Sequence, residues 1–310
     1  MSSEPDPLAQ LPDQLRAVTP GIPERDIARF IAALACGETY APCPESQPRD
    51  SVPAGTVTTH RHTGTLVYPG VSRELSVYLP ADHARQGPLA LMVFQAGAMY
   101  LGPDVGAATV FDNLIAAGEM PPCVGLFVQP GEPGPGLPVY GGTGNRSVEY
   151  DSLGDDYARF LIDELVPAFT AGLALWNDPA GRAICGLSSG GICAFNAAFE
   201  RPEFFARVIS HCGSFVDIRG GHQLTARVRA AERKPLRVFL QSGAHDLDIL
   251  YGCWPLANRQ LASALEYRGY DYQLVMGEGG HSLRHGGALF ADTLRWLWRD
   301  WRAARSAALR

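Results

Sequence analysis

The sequence predicts an α/β protein with a mostly parallel central sheet of about eight strands and helices on both faces. Two observations carry that expectation. Six segments are nearly continuous apolar runs, as strands covered on both faces are: LALMVFQ (89–95), CVGLFV (123–128), RAICGL (182–187), ARVISHC (206–212), LRVFLQ (236–241) and YQLVM (272–276). Around them lie stretches with apolar residues at every third or fourth position, at 155–173, 191–199, 256–267 and 288–301, the spacing of a helix with one buried side. Strand alternating with helix gives a parallel sheet sandwiched between helices.

Taken in order, residues 1–50 are rich in proline around one helical stretch, 24–36, where Ile27, Phe30, Ile31 and Leu34 recur at helical spacing; they read as a partly helical N-terminal arm. Residues 51–310 read as one domain, with no repeat or linker to divide them. The runs TVTTHRHTGTLVY (56–68) and RELSVYLP (73–80) alternate polar with apolar residues and predict an antiparallel start to the sheet. Residues 129–147 contain too much glycine and proline for an element, and a loop of that length is usually functional or mobile.

Composition removes several function classes. Lys plus Arg number 26 against 32 Asp plus Glu, a net charge of −6, where a nucleic-acid surface calls for a basic excess. The longest apolar stretch, PLALMVF (88–94), is far short of the ~18 residues of a membrane helix, so no membrane span is expected. The opening MSSEPDPLAQ lacks the positive flank and apolar centre of a secretory signal and reads as the start of a cytoplasmic protein. Seven scattered cysteines without a C-x-x-C pair fit reduced thiols in a core. A homo-oligomer is compatible with all of this.

Chemistry concentrates in three places. Gly186-Leu187-Ser188-Ser189-Gly190 is G-x-S-x-G between an apolar strand and a helical stretch. A serine on such a tight turn presents its hydroxyl above the sheet, and the helix behind it points N–H groups at developing negative charge. Serine is a weak nucleophile and needs a base held by an acid, in the chain order Ser, acid, His. The strand LRVFLQ is followed by Asp246 and Asp248, of which Asp246 is nearer the strand end and is preferred as acid. After the last strand comes GEGGHS, whose glycines predict a flexible loop carrying His281 as base.

Other residues are weighed against plainer roles. His60 and His62 lie in an early edge strand and read as surface residues; His211 ends a buried strand and is either core or pocket. His285 follows His281 by four positions, but no glutamate follows the first histidine and no third ligand is spaced to join them, so no metal is expected. Two oxyanion donors are needed. The N–H of Ser189 is one, and the loop Gln95-Ala96-Gly97-Ala98 supplies the other, Ala98 before Gly97. Tyr100, Trp254 and Arg146 are candidate substrate-binding side chains, with core packing for the aromatics and a local ion pair between Arg146 and Glu149 as the alternatives.

With these motifs, RAICGLSSGGICAF, SGAHDLD, YDYQLVMGEGGHSLRHGG with its tail LRWLWRDW, and NRSVEYDS, the chain resembles the putative-esterase branch of the α/β-hydrolase fold over residues 55–305. That group includes enterochelin esterase, S-formylglutathione hydrolase and feruloyl or acetylxylan esterases. The resemblance implies Ser188 as nucleophile, Asp246 as acid and His281 as base, acting on a small-molecule carboxylic ester through an acyl-enzyme without a cofactor. An acyltransferase with the same triad and a non-catalytic binding protein are the competing expectations. The loop commonly reading Gln-Asp-Gly or Leu-Asp-Gly is Gln95-Ala96-Gly97 here, and 50 residues are too few for the β-sandwich that precedes the hydrolase in enterochelin esterases. Only the reaction class therefore transfers.

Overall fold

The computed structural model describes residues 9–18, 21–132 and 145–308. Ten strands appear in chain order: β1 (Thr56–Thr63), β2 (Ser72–Leu79), β3 (Ala90–Gln95), β4 (Cys123–Val128), β5 (Arg182–Leu187), β6 (Arg207–His211), β7 (Arg237–Gly243), β8 (Asp248–Ile249), β9 (Gly252–Cys253) and β10 (Asp271–Gly277). Eight of them form one sheet in the order β1-β2-β4-β3-β5-β6-β7-β10, while β8 and β9 make a short hairpin of their own. β1 and β2 pair antiparallel, as do β2 and β4, and the remaining pairs are parallel.

Each apolar run of the sequence became a strand, and all but the half-buried edge strand β10 are covered on both faces. β3, β4 and β6 are buried at every position. Two clusters of buried apolar residues surround the sheet, one containing Leu91, Val93, Ile184 and Val208, the other Met92, Phe94, Cys185 and Ile209. These are alternate residues of the same strands, as the two-residue period of a pleated strand requires. None of the described helices is long and apolar enough to cross a membrane, and all seven cysteines are free.

The structure departs from the sequence expectation where turns or prolines intervene. The run 56–68 is cut at Thr63, because Gly64 N–H turns back to the Val71 carbonyl and opens the hairpin into β2. The helical stretch 155–173 is broken into Asp156–Arg159, a wider π turn over Phe160–Leu165, and Val166–Phe169. Pro167, near the start of the last piece, has no N–H to donate, which accounts for the break. The helix Ala107–Ala116 was not singled out from the sequence: alanines make up three of its ten residues and its polar positions cluster at Asp112 and Asn113. Of the loop 129–147, residues 133–144 lie outside the described residues.

The expected ion pair between Arg146 and Glu149 is corrected by the fold. Glu149 instead meets Arg73 of β2 in a two-pronged pair, Nη1–Oε2 2.6 Å and Nη2–Oε1 2.9 Å, with both side chains fully buried. The same carboxylate accepts the Gly131 N–H and the Asn145 side-chain amide. A buried guanidinium needs a partner far more than a half-buried one does, which is why Glu149 turns inward. Replacing Glu149 by Gln should strand the Arg73 charge and lower stability by about 3–5 kcal/mol in urea unfolding; a loss under ~1 kcal/mol would mean that Arg73 finds other acceptors.

Candidate active site

All parallel strands end at one rim, because parallel pairing brings their C-terminal ends together. In register, Leu187 faces His211, His211 faces Gln241, and Gly243 faces Gly277. The loops leaving β5, β7 and β10 carry Ser188, Asp246 and His281 respectively.

Ser188 sits between β5 and the helix Ser189–Glu200 with φ +60° and ψ −122°. That is a strained backbone for a residue with a side chain. It is held from several directions: its N–H donates to the His211 carbonyl, and its own carbonyl accepts the N–H groups of Gly191, Ile192 and Ser214. The turn also needs glycine before it, since a Cβ on Gly186 would lie 2.1 Å from the Gly190 carbonyl oxygen.

The three side chains meet. His281 Nε2 is 2.9 Å from Ser188 Oγ, and His281 Nδ1 is 2.6 Å from Asp246 Oδ1. Asp246 is buried and further fixed by the Leu247 N–H on Oδ1 and the Ser242 hydroxyl on Oδ2. Asp248 is not part of this arrangement; it lies exposed and pairs with Arg29 at 2.9 Å. Ser214 Oγ lies 3.2 Å from Ser188 Oγ and accepts the Trp254 indole N–H at 3.1 Å. Sequence reasoning missed Ser214, since nothing local marks a serine that is useful only through its neighbours.

Two helices begin beside Ser188. Ala98 is the first residue of the helix Ala98–Leu101 after β3, and Ser189 the first of the helix after β5. Among the described residues neither N–H has an acceptor, whereas the Gly97 N–H is taken by the Val128 carbonyl. The Ala96 N–H donates to the Tyr150 hydroxyl at 3.1 Å, which braces this loop.

Tyr100 and Trp254 are corrected as walls facing substrate: they are 0% and 1% exposed. Tyr100 bonds through its hydroxyl to His211 Nδ1 at 2.9 Å, and burial pushes the His211 imidazole down to about 3, so it stays neutral. Trp254 packs edge-on to the His281 ring at 6.1 Å, acting from behind the site. Arg146 is half-buried and donates to the Ser189 hydroxyl at 2.9 Å. His285 Nδ1 lies 3.1 Å from the Gln241 side-chain amide, and its ring stacks on Tyr40. Cys212 Sγ, Asp246 and His281 lie within 4.8 Å of one another; burial holds the thiol well above its ordinary range, and its one proton has the Gln241 side-chain oxygen and the Gly280 and Ser282 carbonyls as acceptors at 3.8 Å.

With this geometry established, comparison with known proteins is informative. The family model described as "Putative esterase" matches residues 68–297. The chain belongs to this esterase family. It is 27% identical over 197 residues to the iron(III) enterobactin esterase of Dickeya dadantii, covering 59% of this chain and 42% of that protein. It is 30% identical over 103 residues to an endo-1,4-beta-xylanase/feruloyl esterase of Xylanibacter ruminicola, covering 32% of this chain and 12% of that one. The chain thus spans less than half the length of these curated relatives. Among solved structures it is similar to an enterobactin esterase from Shigella flexneri (TM-score 0.65, 20% identity, 84% of this chain and 63% of the other). It is also similar to a ferulic acid esterase from the anaerobic fungus Anaeromyces mucronatus (TM-score 0.67, 15% identity, 88% and 98%). At such identities these structures establish the α/β-hydrolase fold.

One further residue was missed in the family motif NRSVEYDS. Asp151 is 1% exposed and neither of its oxygens meets a donor at hydrogen-bonding geometry. Burial pushes its carboxyl up to about 6 against the pull of Arg146, the nearby Ser189 hydroxyl and Arg219. Between its ordinary value of 3.8 and about 6 the folded chain keeps a proton that the unfolded chain has lost, so this group lowers stability as pH rises through that window. Asp151→Asn should therefore stabilise the protein above pH 6 by on the order of 1–3 kcal/mol, with the gain vanishing below about pH 4. Urea unfolding at pH 7.5 and 3.8 checks this; an equal effect at both would refute the ionisation account.

Proposed function

We propose that this chain hydrolyses carboxylic esters through a Ser188–His281–Asp246 triad and an acyl-enzyme. The observation that carries this reading is the continuous line of hydrogen bonds from Ser188 Oγ through both nitrogens of His281 to a buried carboxylate. Membership of the esterase family supports the same reaction class.

Ser188 Oγ attacks the ester carbonyl carbon as His281 Nε2 takes the hydroxyl proton. Asp246 accepts the Nδ1–H, holds the tautomer that leaves Nε2 free to act as base, and stabilises the imidazolium that results. The carbonyl oxygen becomes an oxyanion, for which the unoccupied N–H groups of Ala98 and Ser189 are the donors, aided by the helix Ser189–Glu200 behind them. Collapse breaks the bond to the alcohol, which leaves with the proton from His281. Water, deprotonated by the same imidazole, then attacks the acyl-serine, releasing the acid and restoring Ser188.

Substrate contact falls to Arg146, the only one of the three candidate binding side chains that is not fully buried, with Tyr100 and Trp254 supporting the site from inside. Relatives named for enterobactin and feruloyl esters make a small-molecule ester the substrate class proposed for this chain.

Ser188→Ala should lower kcat on p-nitrophenyl acetate by about 10³-fold or more and abolish fluorophosphonate labelling, with the fold intact by circular dichroism. Near wild-type turnover by that variant would remove Ser188 from the mechanism. The acid is tested separately: Asp246→Asn should cause a large loss of kcat and Asp248→Asn almost none, and the reverse pattern would reassign the role.

A further inference from the structure

His281 stands on a loop that is held from two sides, by the loop after β7 through Ala244 and His245 and by the segment near the N-terminus. Three consecutive residues are gripped from that side. The His281 N–H donates to the Ala33 carbonyl at 3.0 Å, at the end of the helix Glu24–Leu34. On either side of it, the Gly280 N–H and the Ser282 hydroxyl both donate to Glu38 Oε1, at 3.0 and 2.9 Å. Two residues before Gly280 the Tyr40 hydroxyl accepts the Glu278 N–H at 3.0 Å.

The glycines of the loop record the same contact. A Cβ on Gly280 would lie 1.9 Å from the Ala33 carbonyl oxygen, and one on Gly279 would lie 2.5 Å from the Glu38 carboxylate. A merely flexible loop has no need of glycine at 280; a loop overlaid there by the Ala33 backbone does, and at 279 the space is taken by the Glu38 side chain. The helix itself is anchored beside the acid, since Arg29 pairs with Asp248 and Asp26 accepts the Leu250 N–H.

We propose that Glu38 is a positioning residue for His281, and that the N-terminal arm serves as a strap fixing the base against Ser188. This rests on the proposed role of His281. Glu38 touches no reacting atom; it acts by holding residues 280 and 282, so that the imidazole between them keeps the 2.9 Å and 2.6 Å contacts on its two nitrogens. Reactions of this kind are sensitive to displacements of the order of an ångström.

The test compares Glu38→Ala with Glu38→Gln in the full chain, using p-nitrophenyl acetate. Glu38→Ala should lower kcat by about 10- to 100-fold with KM little changed. It should also speed deuterium uptake in peptides spanning 277–286 while leaving those of β5 unchanged. Glu38→Gln keeps an acceptor oxygen at the same place and should restore most of the activity and the protection. Wild-type kcat in Glu38→Ala, or equal failure of the Gln variant, overturns the proposal. Should Glu38→Ala not fold, Ser282→Ala removes one of the two donors and must show a smaller loss of kcat with the same faster uptake; no change in either overturns it as well. Ser188→Ala run alongside separates the two claims: its full activity would defeat the triad, whereas loop exchange would still report whether Glu38 grips residues 280–282.

Discussion

Around the rim, backbone segments lie closer together than any side chain would permit. Gly186 lets the helix after Ser188 turn back over its own strand, Gly243 meets the Gly279 carbonyl at a distance where a Cβ would sit 2.0 Å away, and Gly280 admits the Ala33 carbonyl. These approaches set the distances between three loops that are 35 and 58 residues apart or more in the chain, and no side-chain contact could substitute for them. With the backbones so placed, the Ala244 N–H reaches the Gly277 carbonyl at 2.7 Å and the His245 N–H reaches Gly279 at 3.0 Å, which ties the acid loop to the base loop. The hydrogen bonds of the three side chains then follow from the loops.

Charge is distributed around this frame in two opposite ways. Glu149 is buried with four donors on it, which locks β2 to the helix Arg146–Tyr150. Two residues later Asp151 is equally buried with no donor at bonding geometry, beside the Ser189 whose N–H is a proposed oxyanion donor. A carboxyl left in that condition works against folding. Proteins commonly retain such strain near functional sites, where stability is exchanged for a particular electrostatic field.

The sequence revealed the parallel strands because burial on both faces leaves continuous apolar runs, and it revealed Ser188 because a strained turn demands glycine on both sides. His281 and Asp246 followed from chain order and strand-end position. Other features left no local trace. Tyr100 and Trp254 looked like pocket walls because aromatic residues at strand ends are equally suited to wall or core; only packing assigned them to the interior. The glycines before His281 signalled flexibility when considered alone, since the Ala33 carbonyl and the Glu38 side chain that overlie them come from more than 240 positions earlier. Glu149 was paired with the nearest arginine in sequence, whereas the partner lies 76 residues away on β2.

The two halves of the proposed reaction centre are held very differently. Ser188 stands at a junction of strand and helix whose residues are almost all buried, and its backbone is engaged by β6 and by the loop following it. His281 is supported differently: β10 is the outermost strand, with a neighbour on one side only, and the residues after it are steadied by the loop after β7 and by the N-terminal segment. Segments with few buried contacts open more readily than the core. The geometry of the pair is therefore as secure as its weaker member, and that member depends on the helix Glu24–Leu34 and on Glu38, far from the apolar runs that define the fold. Stability of the sheet and competence of the site are in this way partly separate properties of the chain, joined where the Ala33 carbonyl meets the His281 amide.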